Sequence, residues 1–283
     1  MTLLDHSTAL TRLLRPRSVA IVGISPEPGS IGANALNNLT GIGYVGDIHL
    51  VSRSNRDIGG RSCVGSIDEL PDGIDAAVLA VPRAATLDAV TACVRRKVGA
   101  AVVFAAGFAE MDEAGRTEQE TLAKLAREAG MALCGPNCIG LVNIPGKVAL
   151  TFEPLAPPKA GKGRAIGVVT QSGAMCSTLR LALLAKELNL SCVVSTGNEA
   201  QLTTEDFLSF LVDDEPTRVI VLFMEQVRDP KRFLALVGEA RRRHKPIVLM
   251  HPGRSARAQS SARTHTGAMA DNHAVMSALL RRE

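Results

Sequence analysis

At 283 residues, 46% apolar and 21% charged, the chain can hold one large or two ordinary domains, each with its own core. The formal net charge of +4 is dispersed and aromatics make up only 3%, so the basic stripe and stacking rings of a nucleic-acid binder are not evident. The apolar runs are strand-sized, which argues against a membrane span, and the six cysteines form no CxxC pair or zinc spacing.

The amino terminus, "MTLLDHSTALTRLLRPRS", carries an early acid and no apolar signal core. With several cysteines in or beside strand-like runs, this predicts a cytoplasmic protein with reduced thiols. Buried strands are then expected at 18–23, 47–52, 75–81, 100–106 and 131–136. Between them lie helical patterns, such as Leu87, Val90, Val94 and Val98 at three-and-four spacing. The Pro- and Gly-rich segment 153–163 interrupts the alternation and marks a domain boundary. Strands resume at 164–169, 190–195, 218–224 and 246–250, with helices at 173–188, 203–213, 230–243 and 267–282. The expected fold class is α/β: a Rossmann-like domain over 1–155, then a flavodoxin-like doubly wound domain over 156–283.

In open parallel sheets, ligands sit beyond the carboxyl ends of the strands. In the second unit those ends carry "TQSG" (170–173), "TGNEAQ" (196–201), "EQVRDP" (225–230) and the long loop 251–267. Ser172, Gly173, Asn198, Glu225 and His265 are therefore expected along one edge. In the first unit, "VAIVGISPEPGSIGANALNNL" (19–39) reads as strand, glycine-rich turn and helix, an arrangement that lets backbone N–H groups approach a phosphate. Its spacing is not GxGxxG, and Arg53 stands where a dinucleotide site would want an acid. A cation there suits a phosphorylated ribose, that of NADP or the 3′-phosphate of coenzyme A. "AVPRAA" (80–85), "AAGFAE" (105–110) and "CGPNCIGLVN" (134–143) also fall at strand ends, and Pro82 stops its ladder sharply.

Taken in order, "VAIVGISPEPGSIGANALNNL", "AVP", "AAGFAE", "GPNCIGLVN", "GVVTQSGA", "STGNEA" and "THTGAMA" resemble the nucleoside-diphosphate-forming acyl-CoA synthetases. More distantly, they are similar to the α subunit of succinyl-CoA synthetase. The resemblance spans nearly the whole chain and implies a coenzyme A-binding domain followed by a phosphohistidine domain. It implies coenzyme contacts at Gly23, Ser25, Gly29, Ser30, Ile31 and Gly32, with Arg53 near the ADP portion. Val81, Pro82, Gly107 and Phe108 would flank the coenzyme, with Asn137 and Cys138 near the thioester. It further implies a transient phosphohistidine at His265, a facing carboxylate at Glu225, and a phosphate cradle at Ser172, Gly173 and Ala174, with Asn198 alongside. An imidazole can accept a phosphoryl group and pass it on, splitting one hard transfer into two easier ones. The carboxylate would fix the tautomer.

Departures from the family pattern are His251, where relatives favour Lys, and Gln226 and Val227, where they favour small residues. No Walker A sequence and no room for an ATP-grasp domain are found. The resemblance therefore implies a shortened chain or one piece of a split enzyme. ATP and Mg2+ would be bound by an ATP-grasp domain or subunit, while this chain handles the carboxylic acid or acyl-CoA, coenzyme A and phosphate. An oligomer is expected, with no resident metal site and no nucleic-acid or membrane partner. Two other readings compete: a non-catalytic coenzyme A-binding sensor or scaffold, and an NADP-dependent oxidoreductase. The missing GxGxxG weighs against the second.

Overall fold

The computed structural model describes residues 3–54, 56–156 and 161–252. His265 and the helix expected over 267–282 lie outside the described residues. Six free cysteines are all buried. Among the described residues, no helix is long and apolar enough to cross a membrane, and no group of three or more His, Cys, Asp or Glu could hold a metal ion.

Helix α1 (Leu3–Leu14) places Ala9, Leu10, Leu13 and Leu14 in the core, the spacing of one helical face. The sequence pattern had not singled it out. Strand β1 (Ser18–Val22) leads through the glycine-rich turn to α2 (Ile31–Gly41), whose N-cap Ser30 Oγ accepts from the Ala33 N–H. Next come β2 (Asp47–Val51), the short strands β3 (Asp57–Ile58) and β4 (Arg61–Val64), and β5 (Ala76–Leu79). Helix α3 (Arg83–Arg95) follows Pro82, then β6 (Ala100–Val103), α4 (Glu113–Ala129) and β7 (Ala132–Cys134). Helix α4 is closed at both ends: the Asp112 carboxylate accepts from the Gly115 N–H at 2.7 Å, and Gly130 takes the left-handed conformation at φ 68°.

The first sheet runs β3-β4-β2-β1-β5-β6-β7 and is parallel except at β3. Its strands β5, β6 and β7 are buried at every position, as helices on both faces require. Between β1 and β5 the winding direction reverses, which opens the crevice expected beyond the carboxyl ends.

The second sheet begins earlier than the boundary expected at 153–163. Strands β8 (Gly140–Asn143) and β9 (Val148–Thr151) form an antiparallel hairpin, and β8 pairs antiparallel with β11 (Leu188–Ser195). The remaining strands, β10 (Lys162–Thr170), β12 (Thr217–Phe223) and β13 (Ile247–Met250), are parallel to β11, giving the order β13-β12-β10-β11-β8-β9. The helices are α5 (Gly173–Ala185), α6 (Thr204–Asp213) and α7 (Pro230–Arg242). The hairpin reads in sequence as a continuation of the first unit because it follows β7 directly and precedes the Pro- and Gly-rich interruption. Its sheet membership is set by pairing with β11, fifty residues later in the chain on the order of sequence numbering.

The two lobes are fused. One core cluster contains Leu13, Ile21 and Val102 of the first together with Leu141, Val169 and Phe207 of the second. The loop after β11 also runs along the end of β7. The N–H groups of Asn198, Ala200 and Leu202 donate to the carbonyls of Pro136, Gly135 and Leu133 at 3.0–3.1 Å. Gly197, at φ 63°, permits this approach, since a Cβ there would lie 2.3 Å from the Pro136 carbonyl oxygen.

Candidate active site

Two concavities lie at the strand ends. The first, about 440 Å³, occupies the crevice of the first sheet and is walled by Gly23, Ser52, Arg53, Val81 and Pro82, with Arg95 at its rim beside Asp68. Gly23 is required here on two counts. It sits at φ 84°, and a Cβ would lie 2.4 Å from the Ala80 carbonyl oxygen. At Gly32 a Cβ would meet Ile24 Cα at 2.7 Å, so this glycine lets the start of α2 pack against the turn. Gly29 needs only its positive φ of 83°. Ser25 and Ser30 hold the turn together: Ser25 Oγ accepts from the Glu27 N–H, and Ser30 Oγ donates to the Ser25 carbonyl. Ile31 is exposed at the first position of α2.

The second cavity, about 360 Å³, lies between the lobes. Asn137 and Cys138 of the first lobe face Ser172, Gly173, Ala174, Asn198 and Glu225 of the second, so the two sets of expected residues share one space. Ser172 caps α5, accepting from the Met175 N–H at 3.4 Å, which leaves the opening N–H groups of that helix toward the cavity. Phe104 and Phe152, edge to face at 4.9 Å between centroids, and Ile139 form an apolar wall. Cys138 belongs to that wall: it is buried, and its Sγ donates to the Val103 carbonyl at 3.4 Å.

Two expected contacts take a different form. Phe108 is 1% exposed and packs in the first-lobe core beneath the Arg83 guanidinium, so its ring serves the fold. The N–H groups of Gly107 and Phe108 donate to the Glu110 carboxylate at 2.6 and 3.1 Å. Asn198, expected at the phosphate, has its side-chain amide committed across the lobes. Its Nδ2 donates to Glu110 Oε2 at 2.5 Å and Gln119 Oε1 at 2.8 Å, and its Oδ1 accepts from Asn137 at 3.2 Å. The residue therefore ties the 106–110 turn to the cavity.

Beyond its apolar wall, three polar residues of the cavity had not been singled out from the sequence: Gln171, Glu199 and Arg228. Gln171 Oε1 accepts from the N–H groups of Glu225 and Gln226 at 2.6 and 2.9 Å. Its Nε2 donates to Glu199 Oε2 at 2.9 Å and to the Gln226 carbonyl at 2.7 Å. It thus fixes the backbone that carries Glu225, itself buried. Glu199 is buried and accepts from Thr196 Oγ1, the Thr204 N–H and Thr204 Oγ1 at 2.7–3.0 Å. Burial raises its carboxyl above the usual range, against the opposing pull of the Thr204 hydrogen bond and the Arg228 charge. The available signal was position: all three stand in loops already placed at the carboxyl edge.

A family described as "CoA binding domain" matches residues 17–144, and one described as "Succinyl-CoA ligase like flavodoxin domain" matches residues 162–283. A trans-feruloyl-CoA synthase from an unknown prokaryotic organism is 46% identical over 277 residues, covering 97% of this chain and 39% of the relative. The acetate–CoA ligase [ADP-forming] I subunit alpha of Pyrococcus furiosus is 36% identical, covering 95% of this chain and 58% of the relative. Among solved structures, the dinucleotide-forming acetyl-coenzyme A synthetase 1 of Ca. Korarchaeum cryptofilum, in complex with phosphate and ADP, superposes with a TM-score of 0.88 at 29% identity. That match covers 96% of this chain and 58% of the other. The chain thus spans about two-fifths to three-fifths of the length of these relatives.

Proposed function

We propose, from the premise that this chain belongs to the ADP-forming acyl-CoA synthetase family, that it is the coenzyme-binding and phosphoryl-carrying portion of an acid–CoA ligase. The overall reaction is carboxylic acid + coenzyme A + ATP ⇌ acyl-CoA + ADP + phosphate. A partner ATP-grasp part binds the nucleotide with its Mg2+ and exchanges the phosphoryl group with His265. At the cavity, the phosphoryl group passes from the His265 nitrogen to the acid carboxylate, giving an acyl phosphate. The thiol of coenzyme A then attacks the acyl carbon and phosphate leaves.

The single observation that carries this reading is the inter-lobe cavity, where the α5 N-terminus and Glu225 meet Asn137 and Cys138 from the coenzyme lobe. The Ser172–Ala174 turn would stabilise phosphate through backbone N–H groups and the helix dipole. Glu225, held in place through Gln171, would accept from one imidazole nitrogen and leave the other free to attack. The first-sheet crevice fits the nucleotide end of coenzyme A: Gly23 gives backbone access and Arg53 offers a cation. The Phe104–Phe152 wall suits an acyl group with an apolar, aromatic tail, in keeping with the name of the feruloyl-CoA relative.

The test is to incubate the chain with feruloyl-CoA or acetyl-CoA and radiolabelled phosphate, then look for acid-labile, base-stable label. Label on the wild type and none on His265→Asn is the expected result. Coenzyme A binding by calorimetry without any label would favour the scaffold reading instead.

A further inference from the structure

The cavity between the lobes has an electrostatic problem. Two buried carboxylates, Glu199 and Glu225, line it, and both the acid and phosphate that the proposed function brings there are anions. Two carboxylates without compensation would repel such a ligand, because charge interactions strengthen as water is excluded. Among the described residues lining the cavity, Arg228 is the one cation.

Arg228 is placed by buried groups. Helix α6 presents Glu205, fully buried, whose Oε1 accepts from the N–H groups of both Arg228 and Asp229 at 2.9 and 3.1 Å. That clamp fixes the turn between β12 and α7. The guanidinium then reaches back across the cavity floor. Its Nε donates to Glu199 Oε2 at 3.4 Å and one Nη2 hydrogen donates to the Asn198 carbonyl at 3.1 Å. A guanidinium has five N–H donors, so three remain for another acceptor. The side chain is 42% exposed although Glu199 beside it is 1% exposed, so its outer edge faces the open space. Two of the side-chain amides lining the cavity are engaged elsewhere: Gln171 by Glu199 and the 225–226 backbone, Asn198 by Glu110, Gln119 and Asn137.

We infer that Arg228 binds the oxyanion of the substrate in this cavity, donating its outer N–H pair to a carboxylate or phosphoryl group. The inference rests on the proposed function for the identity of its ligand and adds a substrate-contacting residue to it. The paired N–H geometry matches two oxygens of either anion, which a lysine ammonium cannot reproduce. Glu199 keeps the guanidinium oriented while the site is empty, and its four other hydrogen-bond donors, from Thr196, Thr204 and Gln171, hold it in place when Arg228 turns toward the ligand.

The experiment measures anion binding to the full chain by calorimetry, with inorganic phosphate in one arm and ferulate in the other. Wild type, Arg228→Gln and Arg228→Lys are compared, each checked for an unchanged melting profile. The expected loss in Arg228→Gln is roughly ten- to hundredfold, the range for a hydrogen bond to a charged group, with a smaller loss in Arg228→Lys. Loss confined to the phosphate arm assigns the phosphoryl group as the ligand, and loss confined to the ferulate arm assigns the carboxylate. Wild-type affinity for both anions in both variants overturns the inference, as does absence of binding to the wild type. Phosphoryl label on His265 is read separately on the same proteins. A labelled wild type whose Arg228 variants bind anions normally defeats this inference alone, whereas an unlabelled wild type defeats the proposed function.

Discussion

Replacing Glu110 by Ala removes the group that joins the coenzyme-lobe turn to the cavity. Its carboxylate accepts three hydrogen bonds, from the N–H groups of Gly107 and Phe108 and from Asn198 Nδ2, at 2.6, 3.1 and 2.5 Å. A hydrogen bond to a charged group contributes about 1.5–3 kcal/mol when buried. Glu110 is only half-buried, and water can replace part of what is lost. The expected total is therefore about 2–4 kcal/mol, at the upper end of ordinary single substitutions. The backbone bonds between residues 198–202 and 133–136 remain, so the lobes stay joined and the damage is local. For a chain of this size the loss lowers the melting midpoint by roughly 3–7 °C. Glu110→Gln keeps one oxygen acceptor without the charge and falls between. Urea titration followed by circular dichroism measures the change, and calorimetry with coenzyme A reports whether the freed turn weakens binding. A Glu110→Ala protein within about 0.5 kcal/mol of wild type would refute the claim that this carboxylate organises the turn.

Asp75, 3% exposed, accepts from Arg12 Nε at 2.8 Å and from the Arg17 N–H and Nε at 2.9 and 3.0 Å. Burial alone would raise its carboxyl, but the Arg17 and Arg12 hydrogen bonds outweigh it and hold the group below the usual carboxylate range. Its stabilisation is thus fully present above about pH 4 and is lost as pH falls through the lowered value. Asp75→Asn should cost about 2–3 kcal/mol at neutral pH by urea titration and flatten the acid limb. Gly23→Ala should abolish coenzyme A binding in calorimetry and lower stability by roughly 2 kcal/mol or more, since φ 84° and the 2.4 Å approach to Ala80 leave no place for a Cβ. Native protein should react slowly with Ellman's reagent and release six equivalents only on unfolding: all six thiols are buried, and burial pushes Cys93 and Cys176 up to about 12.

Much of the architecture is local in origin and was readable from residue order. Strands such as 76–79 and 100–103 are short, uninterrupted apolar runs because helices cover both faces of their sheet, and the turns beside them carry glycine, proline or capping residues. Once the alternation is read, topology alone sends Ser172, Asn198 and Glu225 to one edge, and the structure gathers them around one cavity. The same logic could not say what each polar group does there. Asn198 and Phe108 both stand in expected loops. One is bound to Glu110 and Gln119, the other buried under Arg83, through partners that only packing brings near.

The sequence by itself determined the two α/β units, the glycine-rich turn at residues 23–32 and the loops that carry polar chemistry, because hydrophobic period and backbone freedom are properties of neighbouring residues. Tertiary structure decided that the hairpin at residues 140–151 joins the second sheet, that the lobes meet along residues 133–137 and 197–202, and that Arg228 faces Glu199 across the cavity. Those outcomes depend on strand pairing and on the mutual burial of charged groups far apart in the chain. Such energies exist only when the whole fold has excluded water from between them.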